Sequence, residues 1–180
     1  MSNVIVWFHN DLRLGDNPAL VKAIESGNKI IPIYIWDEKD SDLHTGSAGK
    51  WWLHQSLDRL SNRIEELGNK LVLRKGDPKS ILQEFISQNK VSKIFMNRRF
   101  EPQIIERDEG ILSQIDYEIT NGNLLFDPED IRTKQDKQYT VFTPFWKNCK
   151  MQTEPHEPLA IPSEIPAPDK FPESLSCLLY

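Results

Sequence analysis

The sequence predicts an α/β fold: a doubly wound, Rossmann-like parallel sheet of five strands with helices on both faces. Short apolar segments typical of buried strands alternate with amphipathic segments typical of helices. Capping residues and glycines mark the boundaries between them. Because parallel strands need right-handed crossover connections, this alternation favours a parallel sheet. The 180 residues are enough for one such domain and a tail.

Two apolar runs near the N-terminus are predicted to be the first two strands. Residues 4–8 form a continuous apolar run, as expected of a parallel strand covered on both faces. Asp16 and Asn17 then offer N-cap side chains for a short helix that begins with a proline. Residues 30–36 repeat the strand pattern but include Pro32. Because proline has no N–H for a central ladder, we expect this strand at the edge of the sheet or bulged around Pro32.

The clearest helix is predicted at residues 48–67. Leucine and isoleucine recur there at helical spacing, and charged residues fill the other face. Gly68 is placed to end this helix. The later elements alternate in the same way. Strands are predicted at 70–74, 93–97 and 116–120, and helices begin after Asp77, at Pro102 and near Thr143.

The region after residue 150 is predicted to be a linker. Six prolines fall there within 18 residues: Pro155, Pro158, Pro162, Pro166, Pro168 and Pro172. Such a density favours extended, semi-rigid backbone. We therefore assign an α/β domain to residues 1–150 and an interdomain linker to residues 151–180, and we expect the linker to pack little against the sheet.

Composition argues against several classes of function. The net charge of −5 and the pI of about 5.4 disfavour direct binding of a polyanion, since nucleic-acid-binding domains usually carry a basic face. No apolar stretch approaches the roughly 20 residues of a membrane span, and no signal peptide is evident. We therefore expect a soluble, cytoplasmic protein without a membrane partner. Cysteine and histidine spacing predicts no metal site, and we identify no complete catalytic set.

Candidate binding residues lie where the first two predicted strands end. Asp11 lies in the loop after the first strand, and Trp36 and Asp37 end the second. Open α/β sheets bind ligands at the carboxyl ends of their strands. The ring of Trp36 could stack on a planar chromophore, although core packing is the alternative for an aromatic residue at this position. Arg13 and Asp16 lie in the same loop, and the alternative for them and for Asp11 is a set of ion pairs that fix the loop.

Further candidates lie at the start of the long helix and after the fourth strand. Lys50 follows a glycine-rich turn, where backbone N–H groups and the helix dipole favour negative charge. At least one of Trp51 and Trp52 must point away from the helix face that carries the regularly spaced leucines. We expect that side chain at a pocket or a domain interface. Arg98, Arg99 and Glu101 are either a solvated charge cluster or, at the same sheet edge, ligand contacts in which Glu101 accepts from a ring N–H.

Four segments carry a resemblance to a known family. The opening WFHNDLRLGDNPAL at 7–20 is close to the pattern WFRNDLRLxDNPAL, with His9 in place of the usual arginine, and YTVFTPFW at 139–146 matches YxVFTPFW. WWLHQSL at 51–57 and NRRFEP at 97–102 match between them, in order and at the expected separations. Over residues 4–150 the chain thus resembles the N-terminal α/β domain of DNA photolyases and cryptochromes.

The resemblance implies that this domain holds a light-harvesting antenna pigment: a deazaflavin-type ring, FMN or a folate. In deazaflavin-type members the pigment lies at positions that match Phe8, Trp36, Lys50 and Glu101. Folate-type members use a histidine and an Asn–Glu pair; His44 aligns with the former, but Gln103 and Ile104 replace the pair. The candidate cofactor-binding residues are therefore Phe8, Asp11, Trp36, Asp37, Lys50, Arg98 and Glu101.

The same resemblance implies a partner domain. In the family, a helical C-terminal domain holds FAD and, in photolyases, the damaged DNA whose pyrimidine dimers are repaired by light-driven electron donation. We expect that domain as the partner of these 180 residues, damaged DNA through it, and no repair by the present stretch alone. The alternatives are a domain of a cryptochrome photoreceptor and a stand-alone nucleotide-binding module; the absence of GxGxxG and GxxxxGK[ST] motifs disfavours the module.

Overall fold

The structure, a computed structural model, describes residues 2–37, 46–113, 115–127, 129–152 and 156–176. The elements in chain order are β1 Asn3–Phe8, α1 Pro18–Glu25, β2 Lys29–Trp36, α2 Ser47–Glu66, β3 Val72–Lys75, α3 Pro78–Asn89, β4 Val91–Asn97, α4 Pro102–Leu112, β5 Asp116–Thr120 and α5 Phe142–Gln152. The strands form one parallel sheet in the order β3-β2-β1-β4-β5. A helix connects each strand to the next, so the predicted doubly wound fold is confirmed.

Two apolar cores lie on the two faces of the sheet. Successive side chains of a strand point to opposite faces. Accordingly, β1 sends Val4, Val6 and Phe8 into one core, and Ile5 and Trp7 into the other. Helices α1 and α2 complete the first core, and α3 and α4 complete the second. This double cover explains why the central strand β1 reads as a continuous apolar run.

Local sequence signals set the helix ends. Asn17 caps α1 by accepting a hydrogen bond from the Leu20 N–H at 3.2 Å, and Asp77 caps α3 by accepting from the Ser80 N–H at 3.0 Å. Gly68 follows α2 with a φ of +84°, a conformation that glycine adopts readily. These three predicted signals are confirmed.

The expectation for Pro32 is wrong, because β2 lies between β1 and β3. A bulge is not seen either: Pro32 pairs with Val6 in unbroken register along the described strands. The sheet tolerates a proline here because the N–H that Pro32 lacks would not point towards β1. The Ile30 N–H, on the same side of the strand, donates to the Pro166 carbonyl. The backbone nitrogen of Pro32 therefore points away from β1. Pairing with β3 begins one residue later, at Ile33.

The expectation that the proline-rich tail packs little against the sheet is also wrong. Within residues 156–176, Ile165 is only 1% exposed and belongs to the core beneath α1 and α2. Its N–H donates to the Leu67 carbonyl at 3.0 Å. The buried Asn69 amide donates to the carbonyls of Ile30 and Pro166 at 2.9 and 3.2 Å, which joins the tail to β2.

The last described part of the tail also meets the sheet edge. The Leu175 N–H donates to the Leu73 carbonyl at 3.0 Å, and the Leu73 N–H donates to the Ser174 hydroxyl at 2.9 Å. Extended backbone leaves its carbonyls and N–H groups available for such bonds, and apolar residues between the prolines fill the core. The density of prolines correctly predicts an extended backbone, but it does not predict that this segment packs against the sheet. Assignment of 151–180 as an interdomain linker stays a prediction.

Candidate functional site

A cavity of about 720 Å³ opens at the carboxyl ends of β1 and β2. The loop after β1, the end of β2, the residues after β4 and the first turns of α2 line it. In a doubly wound sheet, groups from several strands converge at this edge. The volume falls within the range of roughly 300–1,000 Å³ that is common for small-molecule sites.

Aromatic and apolar side chains form one part of the cavity wall. Tyr34 and Trp36 come from β2, and Trp52 and Leu53 come from α2. Trp36 is half-buried and packs against the core beneath α1 and α2. Trp52 is 65% exposed yet lines the cavity, whereas the neighbouring Trp51, 56% exposed, does not. Of the two tryptophans, Trp52 is the one placed to contact a ligand.

The N-terminus of α2 forms a second part of the wall. Gly46 is the N-cap and has no side chain to satisfy the first N–H groups of the helix. Gly49 and Lys50, in the first turn, both line the cavity. The helix dipole favours negative charge at this end, and the Lys50 ammonium adds a full positive charge. This wall is suited to an anionic group.

Two arginines and two aspartates form an ion-pair cluster beside the cavity. Arg107 lies 3.5 Å from Asp37 and 2.8 Å from Asp108, measured between guanidinium nitrogen and carboxylate oxygen. Arg99 lies 4.0 Å from Asp108. Asp37, Arg99 and Arg107 line the cavity, and Asp108 is buried behind them. The cluster connects the end of β2 to α4 and fixes the orientation of these side chains. Its positive and negative charges leave little net charge.

His9 lies where this cluster meets β1. Its ring stacks at a tilt on Trp7, with centroids 4.3 Å apart. Both ring nitrogens are buried and have no hydrogen-bond partner within the described part of the chain. Burial lowers the pKa of His9 well below its ordinary value of 6.5, and the positive charges of Arg99 and Arg107 lower it further. His9 is therefore a neutral imidazole at neutral pH.

Asp11 is turned away from the cavity and fixes the loop after β1. One carboxylate oxygen accepts from the backbone N–H of His9 at 2.8 Å, and the other accepts from the Asn97 side-chain amide. Both Asp11 and Asn97 are buried. The crevice between β1 and β4 is thus filled by the protein's own polar groups, and the open cavity lies on the β1–β2 side.

Comparison with known proteins identifies the fold and its lineage. The family model described as DNA photolyase matches residues 4–168, nearly the whole chain. This chain belongs to the DNA photolyase family. The predicted resemblance is confirmed, and the match extends through most of the proline-rich tail.

A photolyase sequence, a plant cryptochrome sequence and a photolyase crystal structure illustrate the similarity. The deoxyribodipyrimidine photo-lyase of Agrobacterium fabrum is 40% identical over 176 residues, which cover 95% of this chain and 36% of that protein. Cryptochrome-2 of Arabidopsis thaliana is 34% identical over 152 residues, 81% of this chain and 25% of that protein. The crystal structure of a bacterial class III photolyase from Agrobacterium tumefaciens superposes with a TM-score of 0.91 at 37% identity, covering 98% of this chain and 37% of that chain. The chain spans about a third or less of the length of these relatives.

Of the seven positions predicted to bind a cofactor in this photolyase-family domain, three line the cavity: Trp36, Asp37 and Lys50. Phe8 is 1% exposed and packs in the core beneath α1 and α2. Asp11 binds within its own loop and to Asn97. Phe8 and Asp11 therefore do not line the cavity.

The two positions predicted after β4 lie elsewhere. Arg98 pairs with Asp127 and Glu129 at 3.3 and 3.4 Å, on a neighbouring surface. Glu101 is exposed and accepts from the Phe100 N–H at 3.1 Å. Neither lines the cavity. His44, which aligns with the folate-type histidine, lies outside the described residues.

Sequence reasoning placed Arg99 at this edge but missed other residues of the cavity wall, chiefly His9 and Arg107. The substitution of histidine for arginine at position 9 was the available signal. In the described ranges, no helix is long and apolar enough to cross a bilayer. Among the same residues, no three His, Cys, Asp or Glu side chains are grouped as metal ligands.

Proposed function

We propose that this chain is the α/β domain that holds a light-absorbing antenna pigment in a photolyase-type protein. The observation that supports it is the cavity at the carboxyl ends of β1 and β2, in a chain that belongs to the DNA photolyase family. The pigment would supply absorption of light and transfer of excitation energy. The residues of this chain would bind it, orient it and shield it from water.

The wall chemistry fits a planar heteroaromatic ring that carries an acidic tail. The rings of Trp36 and Trp52 offer apolar faces to such a ring. Asn10 and Ser56 offer neutral hydrogen-bonding groups for a ring edge. Lys50 and the start of α2 offer positive charge to the tail. Aromatic walls with a few polar groups are typical of small-molecule sites.

Within that chemical class, the residues favour a flavin-like ring, such as a deazaflavin or FMN, over a folate. Where the folate-type pattern has an Asn–Glu pair, this chain has Gln103, which is exposed, and Ile104, which is buried in α4. Neither lines the cavity. A folate would therefore lack the polar partners that the family resemblance implies for it.

For the whole protein we propose light-driven repair of damaged DNA, with FAD and DNA bound by a C-terminal partner domain. The similarity to the Agrobacterium fabrum photo-lyase, at 40% over 95% of the chain, exceeds that to Arabidopsis cryptochrome-2, at 34% over 81%. The flavin-dependent step would take place in the part of the protein that corresponds to the other two thirds of the relatives' length, which this chain does not span. The net charge of −5 is consistent with a domain that leaves DNA binding to its partner.

The test is titration of the purified protein with FMN, followed by flavin fluorescence. Lys50→Ala should weaken binding by roughly 1–3 kcal/mol if the ammonium makes a charged hydrogen bond to the phosphate. Trp52→Ala should weaken it as well, through lost ring packing. Trp51→Ala and Glu101→Gln, whose side chains lie outside the cavity, are the matched controls. Absence of binding, or equal losses in the controls, would overturn the proposal.

A further inference from the structure

Asp16 adopts a left-handed backbone conformation that few residues other than glycine, asparagine and aspartate adopt. Its φ is +49°, in the left-handed region that disfavours most side chains. Asp16 lies between the cavity-lining loop and α1 and is not the helix cap, which is Asn17. A strained residue persists only where its surroundings hold it, so its contacts bear on function.

Asp16 makes two hydrogen bonds to the tail, one as donor and one as acceptor. Its N–H donates to the Leu159 carbonyl at 2.8 Å, and the Leu159 N–H donates back to Asp16 Oδ1 at 3.2 Å. Beside this pair, Ile161 of the tail lies close to Gly15: a Cβ added to Gly15 would stand 3.1 Å from Ile161 Cγ1. The tail is therefore seated closely against residues 15 and 16.

The carbonyl of Asp16 reaches the cavity wall. It accepts from Arg13 Nε at 3.2 Å and from a terminal guanidinium nitrogen of Arg13 at 3.0 Å. The same guanidinium also donates to the Gly122 carbonyl. Arg13 lines the cavity, so Asp16 links a cavity-lining cation to the tail through one residue.

We propose that Asp16 is a positioning residue of the cavity: residues 156–176, docked on Asp16, fix Arg13 in the wall and thereby set how well the cavity holds an anionic ligand. The inference rests on the proposed function for its ligand, but not for the coupling between tail and loop. The tail is also anchored independently by Ile165 and by the Asn69 amide. Changes at Asp16 should therefore alter the loop without releasing the tail.

Two substitutions separate this role from a merely structural one. Asp16→Gly removes the acceptor for the Leu159 N–H while tolerating a positive φ. Asp16→Asn keeps an oxygen acceptor and also tolerates this conformation. Asp136 has a φ of +58° in an exposed turn, so Asp136→Gly is the matched control for backbone effects.

The first readout is the FMN affinity of the 180-residue chain. Asp16→Gly should raise the dissociation constant about two- to tenfold, as expected when one hydrogen bond is lost. Asp16→Asn and Asp136→Gly should bind like the wild type. Leu159→Pro removes the donor of the same bond, so its effect and that of Asp16→Gly should not add. Unchanged affinity in Asp16→Gly, with wild-type binding present, would overturn the inference.

The second readout needs no ligand. Amide hydrogen exchange at residues 10–14 should be faster in Asp16→Gly than in the wild type, Asp16→Asn or Asp136→Gly. If the wild type binds no FMN, the proposed function fails, and exchange alone decides whether Asp16 couples tail and loop. Unchanged exchange at residues 10–14, or acceleration only within 156–176, would refute the coupling.

Discussion

The side-chain amide of Asn97, at the end of β4, donates a short hydrogen bond to the carboxylate of Asp11, in the loop after β1. The same amide nitrogen donates to Asn17 Oδ1 at 2.9 Å, and Asn97 Oδ1 accepts from the Thr120 hydroxyl at 2.7 Å. One buried side chain thus joins the ends of β1, β4 and β5 to the cap of α1. This network closes the crevice at the switch point of the sheet and leaves the cavity beside it.

Removing Asn97 should be costly, because its partners Asp11 and Asn17 are buried. In Asn97→Ala the buried Asp11 carboxylate loses a donor, and Thr120 loses an acceptor. We expect the free energy of unfolding to fall by about 2–4 kcal/mol in urea denaturation. Asn62→Ala, on the exposed face of α2, is the control and should change it by less than about 0.5 kcal/mol. Equal stability of the two variants would show that the network contributes little.

His9 should make stability depend on pH just below neutrality. Its pKa is lowered in the folded state by burial and then by Arg99 and Arg107. Below the ordinary pKa of 6.5, the unfolded chain binds a proton that the folded chain excludes. The free energy of unfolding should therefore fall as the pH decreases, by up to about 1.4 kcal/mol per pH unit, until the folded-state pKa is reached.

The surroundings of His9 support this sign. Asp11 is engaged by hydrogen bonds from the His9 backbone N–H and Asn97, and Asp37 and Asp108 are paired with the same arginines that act on His9. The measurement is urea unfolding between about pH 5 and pH 7 for wild type and His9→Asn, which cannot titrate. His156→Asn, at an exposed histidine, is the control. The same slope in wild type and His9→Asn would contradict the prediction.

Local signals explain which parts of the fold could be predicted. The strands and helices could be predicted because each signal involves only a few neighbouring residues. These signals are the apolar runs, the caps Asn17 and Asp77, and Gly68. The tail could not be placed in this way, because prolines look the same in a free linker and in a docked segment. The apolar Leu159 and Ile165 between them were the signal for docking.

The cavity wall could be predicted only in part, because it is assembled from distant elements. Trp36 and Lys50 lie at a strand end and a helix start, positions that topology alone brings to the sheet edge. His9, Arg99 and Arg107 come from three places in the chain, and their meeting depends on the order of β1 and β4. Helical spacing likewise cannot say that Trp52, and not Trp51, faces the cavity.

The docked tail should contribute measurably to stability. Ile165→Ala leaves a cavity in the core beneath α1 and α2, and should lower the free energy of unfolding by about 2–4 kcal/mol. Ile161→Ala removes a side chain of the same type that is 51% exposed and should cost less than about 1 kcal/mol. Denaturant unfolding of both variants gives the comparison. Similar small losses would mean that the tail is dispensable for the fold.

Two glycine-to-alanine substitutions should have effects of opposite sign. At Gly122 an added Cβ would clash with Asn97 Oδ1, so Gly122→Ala must displace the side chain that joins β1, β4 and β5. We expect a loss of about 1–3 kcal/mol, the usual range for overpacking. Gly110 lies exposed within α4 and has nothing within 4 Å of an added Cβ, so Gly110→Ala should stabilise by about 0.5–1 kcal/mol. Thermal unfolding distinguishes the two, and a stabilising Gly122→Ala would show that Asn97 can move without loss of its bonds.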